Sequence, residues 1–108
     1  MMNQVDFFKC LSDQTRLDLL MLVLKKTECC VCEFTEILAL SQPKISRHLA
    51  LLRSHKILQD RRQGQWVYYR LHDQLPAWRL AVLTQTLQTH EGLRNLEISN
   101  YKTNTCCE

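Results

Sequence analysis

Apolar residues recur along most of this chain at intervals of three and four, the spacing that keeps one face of an α-helix dry. Val5, Phe8 and Leu11 form a first short stripe, and Asp13 stands where a capping side chain would start a second helix carrying Leu17, Leu20, Met21 and Leu24. Lys25 and Lys26 suit the C-terminal end of that helix. A third, short helix is expected from about Val31, with Phe34, Ile37 and Leu38 on one face. Ala39 and Leu40 interrupt the pattern before Ser41, a natural N-cap, and Pro43 falls in the next first turn, where a missing N–H costs nothing. In the helix that follows, Ile45, Leu49 and Leu52 share one sector and should face the core, leaving Lys44, Arg47 and Ala50 outward.

From Ile57 the period changes. The segments 57–62, led by Ile57, and 66–71, with Trp66, Val67, Tyr68 and Tyr69, flank Gln63-Gly64-Gln65, which reads as a small β-hairpin. Pro76 introduces a last helix with Leu80, Leu83 and Leu87, and Gly92 weakens its pattern. The order is helix, helix, helix, helix, hairpin, helix: a mainly α fold with one hairpin. A single domain over 1–98 and a loose, cysteine-bearing tail over 99–108 are expected.

Composition agrees with that outline. The chain has 108 residues with only two glycines and two prolines, few turn-formers for a many-stranded β fold. Its net charge of +3 is too mild to prove a nucleic-acid partner without local clustering. No apolar run approaches the roughly 20 residues of a membrane span, and the first residues lack a signal-peptide profile, so a cytoplasmic location is expected. The cysteines lie at Cys10, Cys29, Cys30, Cys32, Cys106 and Cys107, leaving the middle of the chain unstapled. Adjacent cysteines are poor disulfide partners, because a trans peptide fixes their Cα atoms about 3.8 Å apart. Reduced thiols are the better reading.

The local chemistry is more specific. A short helix, a tight turn and a helix with polar residues at its start make a helix-turn-helix, whose second helix enters the DNA major groove. There Gln42 and Arg47 suit base edges, and Ser41, Lys44 and Ser46 suit phosphates or bases. A basic amphipathic helix alone is usually a solvated face. The hairpin changes that weighting, because Arg61, Arg62, Gln63 and Gly64 at its tip, with Tyr68 beside them, form a wing able to reach the DNA backbone. The expectation is a winged helix-turn-helix.

These segments, Phe8 to Leu17, Ser41 to Arg53 and Asp60 to Leu71, resemble the arsenic-responsive repressor (ArsR/SmtB) family, and the likeness runs over almost the whole chain up to Trp78. Gln42 to Leu49 is similar to the arsenite-responsive branch. The resemblance implies a homodimeric repressor of operator DNA whose first and last helices form the dimer interface. It implies no enzyme activity and no catalytic cofactor.

Cys30-Val31-Cys32 resembles the Cys-Val-Cys core that the family's arsenite, antimonite and cadmium/lead sensors place at the start of the third helix, so As(III) or Sb(III) is the expected inducer. Thiolates are soft ligands, and a helix N-terminus favours their ionisation. Where family members often carry a further cysteine three residues later, this chain has Thr35. Cys29 is the preferred third sulfur, with Cys106 or Cys107 of the tail as the alternative. Side chains two apart on a regular helix point about 200° apart, so a shared ion is expected to unwind the first turn and signal through Phe34, Ile37 and Leu38.

Competing readings rest on less. A redox or persulfide sensor of the same fold would use the same thiols. A zinc site on the last helix is disfavoured, since Thr84, Thr86 and Gln88 stand where the family's zinc ligands resemble an Asp-x-His pair. Cys10 to Arg16 has the Cys-x5-Arg spacing of a phosphate-binding loop, but it contains no glycine and sets Asp13 where the anion would lie. Cys10 itself is assigned to the core.

Overall fold

The computed structural model describes residues 3–89. The expected tail at 99–108, with Cys106 and Cys107, lies outside them. Five helices are described, α1 (Gln4–Leu11), α2 (Gln14–Lys26), α3 (Val31–Leu38), α4 (Gln42–Ser54) and α5 (Ala77–Thr89), together with strands β1 (Glu28–Cys30), β2 (Leu58–Gln63) and β3 (Trp66–Leu71). The helices follow the hydrophobic pattern, and their starts are capped as the sequence indicates. Asp13 Oδ2 accepts the Arg16 N–H at 3.0 Å, and Ser41 Oγ faces the Lys44 N–H at 3.4 Å.

A winged helix forms from these elements, with one addition to the expected order. Besides the hairpin of β2 and β3 there is a third strand, β1, which pairs antiparallel with the free edge of β3. Its three residues are too few for alternation to show in a sequence, and its partner is distant in the chain. Thr27, with φ at 71°, turns the chain out of α2 into this strand. Gly64, with φ at 62°, takes the first central position of the two-residue wing turn, which a type II′ geometry reserves for a positive φ.

The core surrounds α2. Leu19 through Val23 are fully buried, joined by Phe7, Phe34, Ile45, Leu49, Leu52, Ile57, Leu58 and Leu83. The assignment of Ile45, Leu49 and Leu52 to the core therefore holds, as does that of Cys10. The first stripe is different from the expectation, because Phe7 and Cys10 face inward while Val5 and Phe8 are 59% and 48% exposed. Leu80, likewise expected in the packed stripe of the last helix, is 42% exposed. The reason is that α1 and α5 each carry two apolar sides. One side packs on α2, and the other forms an outer apolar face from Val5, Phe8, Trp78 and Leu80.

Arg16 ties the helices together. Its guanidinium donates to the carbonyls of Cys10 at 2.8 Å and Lys9 at 3.2 Å, satisfying the end of α1, and reaches His48 Nδ1 of α4 at 3.4 Å. The Cys10–Arg16 segment thus spans a helix junction with the thiol buried, and burial pushes that thiol's pKa up. His48 is held below the ordinary histidine range, chiefly by burial, although Asp13 nearby opposes the shift.

The Arg16 N–H bond holds the Asp13 carboxyl below its ordinary pKa, with lesser help from the Arg16 and His48 charges. A carboxylate with a depressed native pKa stabilises the fold above the unfolded value, and that contribution is lost as pH falls through the native one. Asp13→Ala is expected to cost about 0.5–1 kcal/mol at neutral pH, the lower part of the capping range because the carboxylate is partly solvated. In thermal unfolding, the gap between the two proteins should close below about pH 4. A gap independent of pH would exclude the charged cap as its source.

Candidate nucleic-acid interface and thiol site

The helix-turn-helix consists of α3, a left-handed Ala39 with φ at 55°, Leu40, and α4 starting behind Ser41. Burial of Phe34 on one side and of Ile45 and Leu49 on the other fixes the two helices against each other. This packing turns the first turn of α4 outward. Ser41, Gln42, Lys44 and Arg47 are exposed, and Ser46 is half-buried. Arg61, Arg62, Gln63 and Gly64 are exposed at the wing, and Tyr68 is half-buried on β3.

The two wing arginines are not equivalent. Arg61 grips Glu28 of β1 in a bidentate pair, Nε to Oε2 at 2.8 Å and Nη2 to Oε1 at 2.7 Å. Its third nitrogen donates to Gln63 Oε1 at 2.7 Å, and its guanidinium lies 4.6 Å from the centre of the Tyr68 ring. The Arg61 hydrogen bonds hold the Glu28 carboxyl below the ordinary range. Arg62, the next residue on the strand, points to the opposite face. Of the residues expected to meet DNA, Arg61, Gln63 and Tyr68 are thus engaged with one another and with Glu28, a partner the sequence reading missed.

The thiols are arranged by the same sheet. β1 places Cys29 opposite Tyr69 and Cys30 opposite Tyr68. Side chains alternate along a strand, so these two cysteines face opposite ways. Cys29 is fully buried in the hydrophobic core with Tyr69 and Leu58. Its side chain thus leaves β1 on the face opposite to that of Cys30.

Cys30 ends β1 and is also the N-cap of α3, with extended backbone angles of φ −87° and ψ 160°. Only Cys32 is within the helix. The two sulfurs lie 2.6 Å apart, and α3 keeps its regular start at Val31. The 200° separation behind the expected unwinding applies only when both residues are helical, and here Cys30 stands outside the helix. Among the described residues, no group of three or more His, Cys, Asp or Glu side chains is placed to hold one metal ion.

A buried ion pair holds this junction. Glu33 Oε1 accepts the Cys30 N–H at 2.9 Å, and Glu33 Oε2 meets Lys26 Nζ at 2.9 Å, with both side chains almost fully buried. The Cys-x-x-Glu spacing matches the second half of a capping box, a signal the sequence reading passed over. Lys26, expected only to complement a helix end, is instead the counter-ion. A cavity of about 260 Å³ opens at the thiols, lined by Cys30, Cys32 and Thr35 together with Gln42, Gln65 and Trp66. It connects the thiols to both the first turn of α4 and the returning strand of the wing.

Comparisons with known proteins agree with this geometry. Residues 13–59 match the model of the family described as bacterial regulatory protein, arsR family. The chain is 55% identical over 84 residues to the arsenic resistance transcriptional regulator ArsR1 of Pseudomonas putida, covering 78% of this chain and 66% of that protein. It is 46% identical to ArsR2 of the same species, covering 99% of this chain and all of the relative. Among solved structures, the AntR antimony-specific transcriptional repressor superposes with a TM-score of 0.68 at 26% identity, over 85% of this chain and 80% of that one.

The convergence of Cys30 and Cys32, without Cys29, has a direct test. Cadmium titration of the reduced protein, read by thiolate-to-metal absorption, should lose one site in Cys30→Ser and in Cys32→Ser and keep it in Cys29→Ala. A site that survives Cys32→Ser, or disappears with Cys29→Ala, contradicts the pairing.

Proposed function

The chain belongs to the arsR family of bacterial regulatory proteins, and on that premise we propose that it is a cytoplasmic transcriptional repressor that binds operator DNA as a homodimer and leaves it when As(III) or Sb(III) is held by Cys30 and Cys32. The observation that carries this reading is the cavity that thiols, reading helix and wing share. Relatives named as arsenic resistance regulators, and the AntR neighbour named as antimony-specific, support the metalloid class. No helix among the described residues is long and apolar enough to cross a membrane.

Ser41, Gln42, Lys44, Ser46 and Arg47 supply the major-groove surface, with Arg47 offering a fork to guanine and Gln42 an amide to base edges. Arg62, Gln63 and Gly64 approach the backbone from the wing, while Arg61 and Tyr68 brace it. The outer apolar face of α1 and α5, with Val5, Phe8, Trp78 and Leu80, is the dimer contact that burial would favour. Two convergent thiols fit a soft metalloid. Their position lets a bound ligand press on Gln42 and Trp66 directly, and a coupling of about 1–3 kcal/mol would lower operator affinity roughly 5- to 150-fold.

In operator binding followed by fluorescence anisotropy, arsenite should release the wild type, while Cys30→Ser and Cys32→Ser remain bound. Normal release of the double serine variant, or release by peroxide and not by arsenite, would sink the metalloid reading. Arg47→Ala should cost about 1–3 kcal/mol on the operator and relax the preference at one base position. A uniform loss across unrelated sequences would make Arg47 a phosphate contact instead.

A further inference from the structure

The wing carries two adjacent arginines in unlike states. Among the described residues Arg62 enters no ion pair. All three nitrogens of the Arg61 guanidinium are engaged, Nε and Nη2 by the two oxygens of Glu28 at 2.8 and 2.7 Å, and Nη1 by Gln63 Oε1 at 2.7 Å. The Tyr68 ring lies against the same group, 4.6 Å from ring centre to guanidinium carbon. Strand pairing fixes these positions, with Glu28 opposite Arg70 and Arg61 opposite Tyr68. Arg70 is tied to Asp73 at 3.3 Å, so Arg61 is the cation that Glu28 grips. A carboxylate and a phosphate present a similar pair of oxygens to a guanidinium fork, and one edge of the fork holds one of them at a time.

We propose that Glu28 is an intramolecular competitor of the DNA backbone: it occupies the Arg61 fork that a phosphate would otherwise take, and so sets how tightly the wing holds duplex DNA. This rests on the reading of the wing as a DNA contact. A phosphate approaching Arg61 must displace both carboxylate oxygens, and it meets the Glu28 charge as it does so. The carboxylate is tethered and gives up no translational freedom in gripping the fork. The wing therefore meets the duplex with Arg62 as its working cation and Arg61 neutralised. Phosphate contacts carry no sequence information, so withholding one lowers affinity for every duplex alike and leaves the choice of sequence to α4. The lower the affinity of the free repressor, the smaller the coupling that clears its operator at a given protein concentration.

The test follows binding of the reduced chain by anisotropy across a salt series, on the operator duplex and on a random-sequence duplex of the same length. Each phosphate neutralised steepens the slope of log K against log salt by about 0.9. Glu28→Gln, which keeps the side chain's shape and removes its charge, should steepen the slope by about that amount for each wing engaged. It should tighten binding about fivefold per wing at ~0.15 M salt, equally on both duplexes. Adding Arg61→Gln to that variant should abolish the gain, and Arg62→Gln in the wild-type background should flatten the slope. Weaker binding by Glu28→Gln, an unchanged slope, a gain confined to the operator, or a gain that survives Arg61→Gln would each overturn the proposal while leaving the wing as a DNA contact. If Arg62→Gln also leaves the slope unchanged, the wing does not touch the backbone, and the reading beneath the proposal fails with it.

Discussion

The short ladder between β1 and β3 is the constraint on which the site depends. Pairing Cys30 with Tyr68 holds Cys30 in extended geometry up to the residue where α3 begins. A strand running straight into a helix lets one thiol approach from outside the helix and the other from its first turn. The same pairing sends Cys29 into the core and brings Glu28 alongside Arg61. Three consecutive residues thus acquire three different tasks from one strand's alternation.

Two ion pairs hold that strand, in very different settings. Lys26 and Glu33 lie inside, and breaking such a buried pair from one side typically costs about 3–5 kcal/mol because an uncompensated charge remains. Glu33 also accepts the Cys30 N–H, so the pair anchors the residue that carries the first sulfur. Glu28 and Arg61 lie nearer the surface, where Arg61 is 45% exposed, and solvent and salt weaken their attraction. One pair is a foundation for the junction, and the other is a clasp between the strand and the wing.

Much of this was legible in the sequence, for physical reasons that also mark where legibility ended. The helix-turn-helix could be read because Ser41 and Pro43 punctuate it and because Ile45, Leu49 and Leu52 hold a helical period in a helix packed on one side. The wing could be read because Gly64 stands just before a run of strand-forming residues, Trp66 to Tyr69, and after Ile57, where the helical period stops. β1 could not, since three residues carry no period and their partner strand lies about forty residues on. Without β1 there was no means of knowing that Cys29 and Cys30 face apart, that Arg61 has a carboxylate partner, or that the sulfurs converge without unwinding α3. Val5 and Phe8 misled for another reason. A helix apolar on two sides offers two stripes, and spacing alone does not say which one faces the core.

Gln42 and Trp66 share the wall of one recess while belonging to the groove-reading helix and the wing respectively. Substitutions at either position are therefore pleiotropic. A change of wall residue made to suit a different occupant of the recess would reach the groove-reading helix or the wing, and a change made there for a different DNA sequence would reshape the recess. Divergence among such regulators should proceed by compensating pairs of changes across this recess rather than by independent steps.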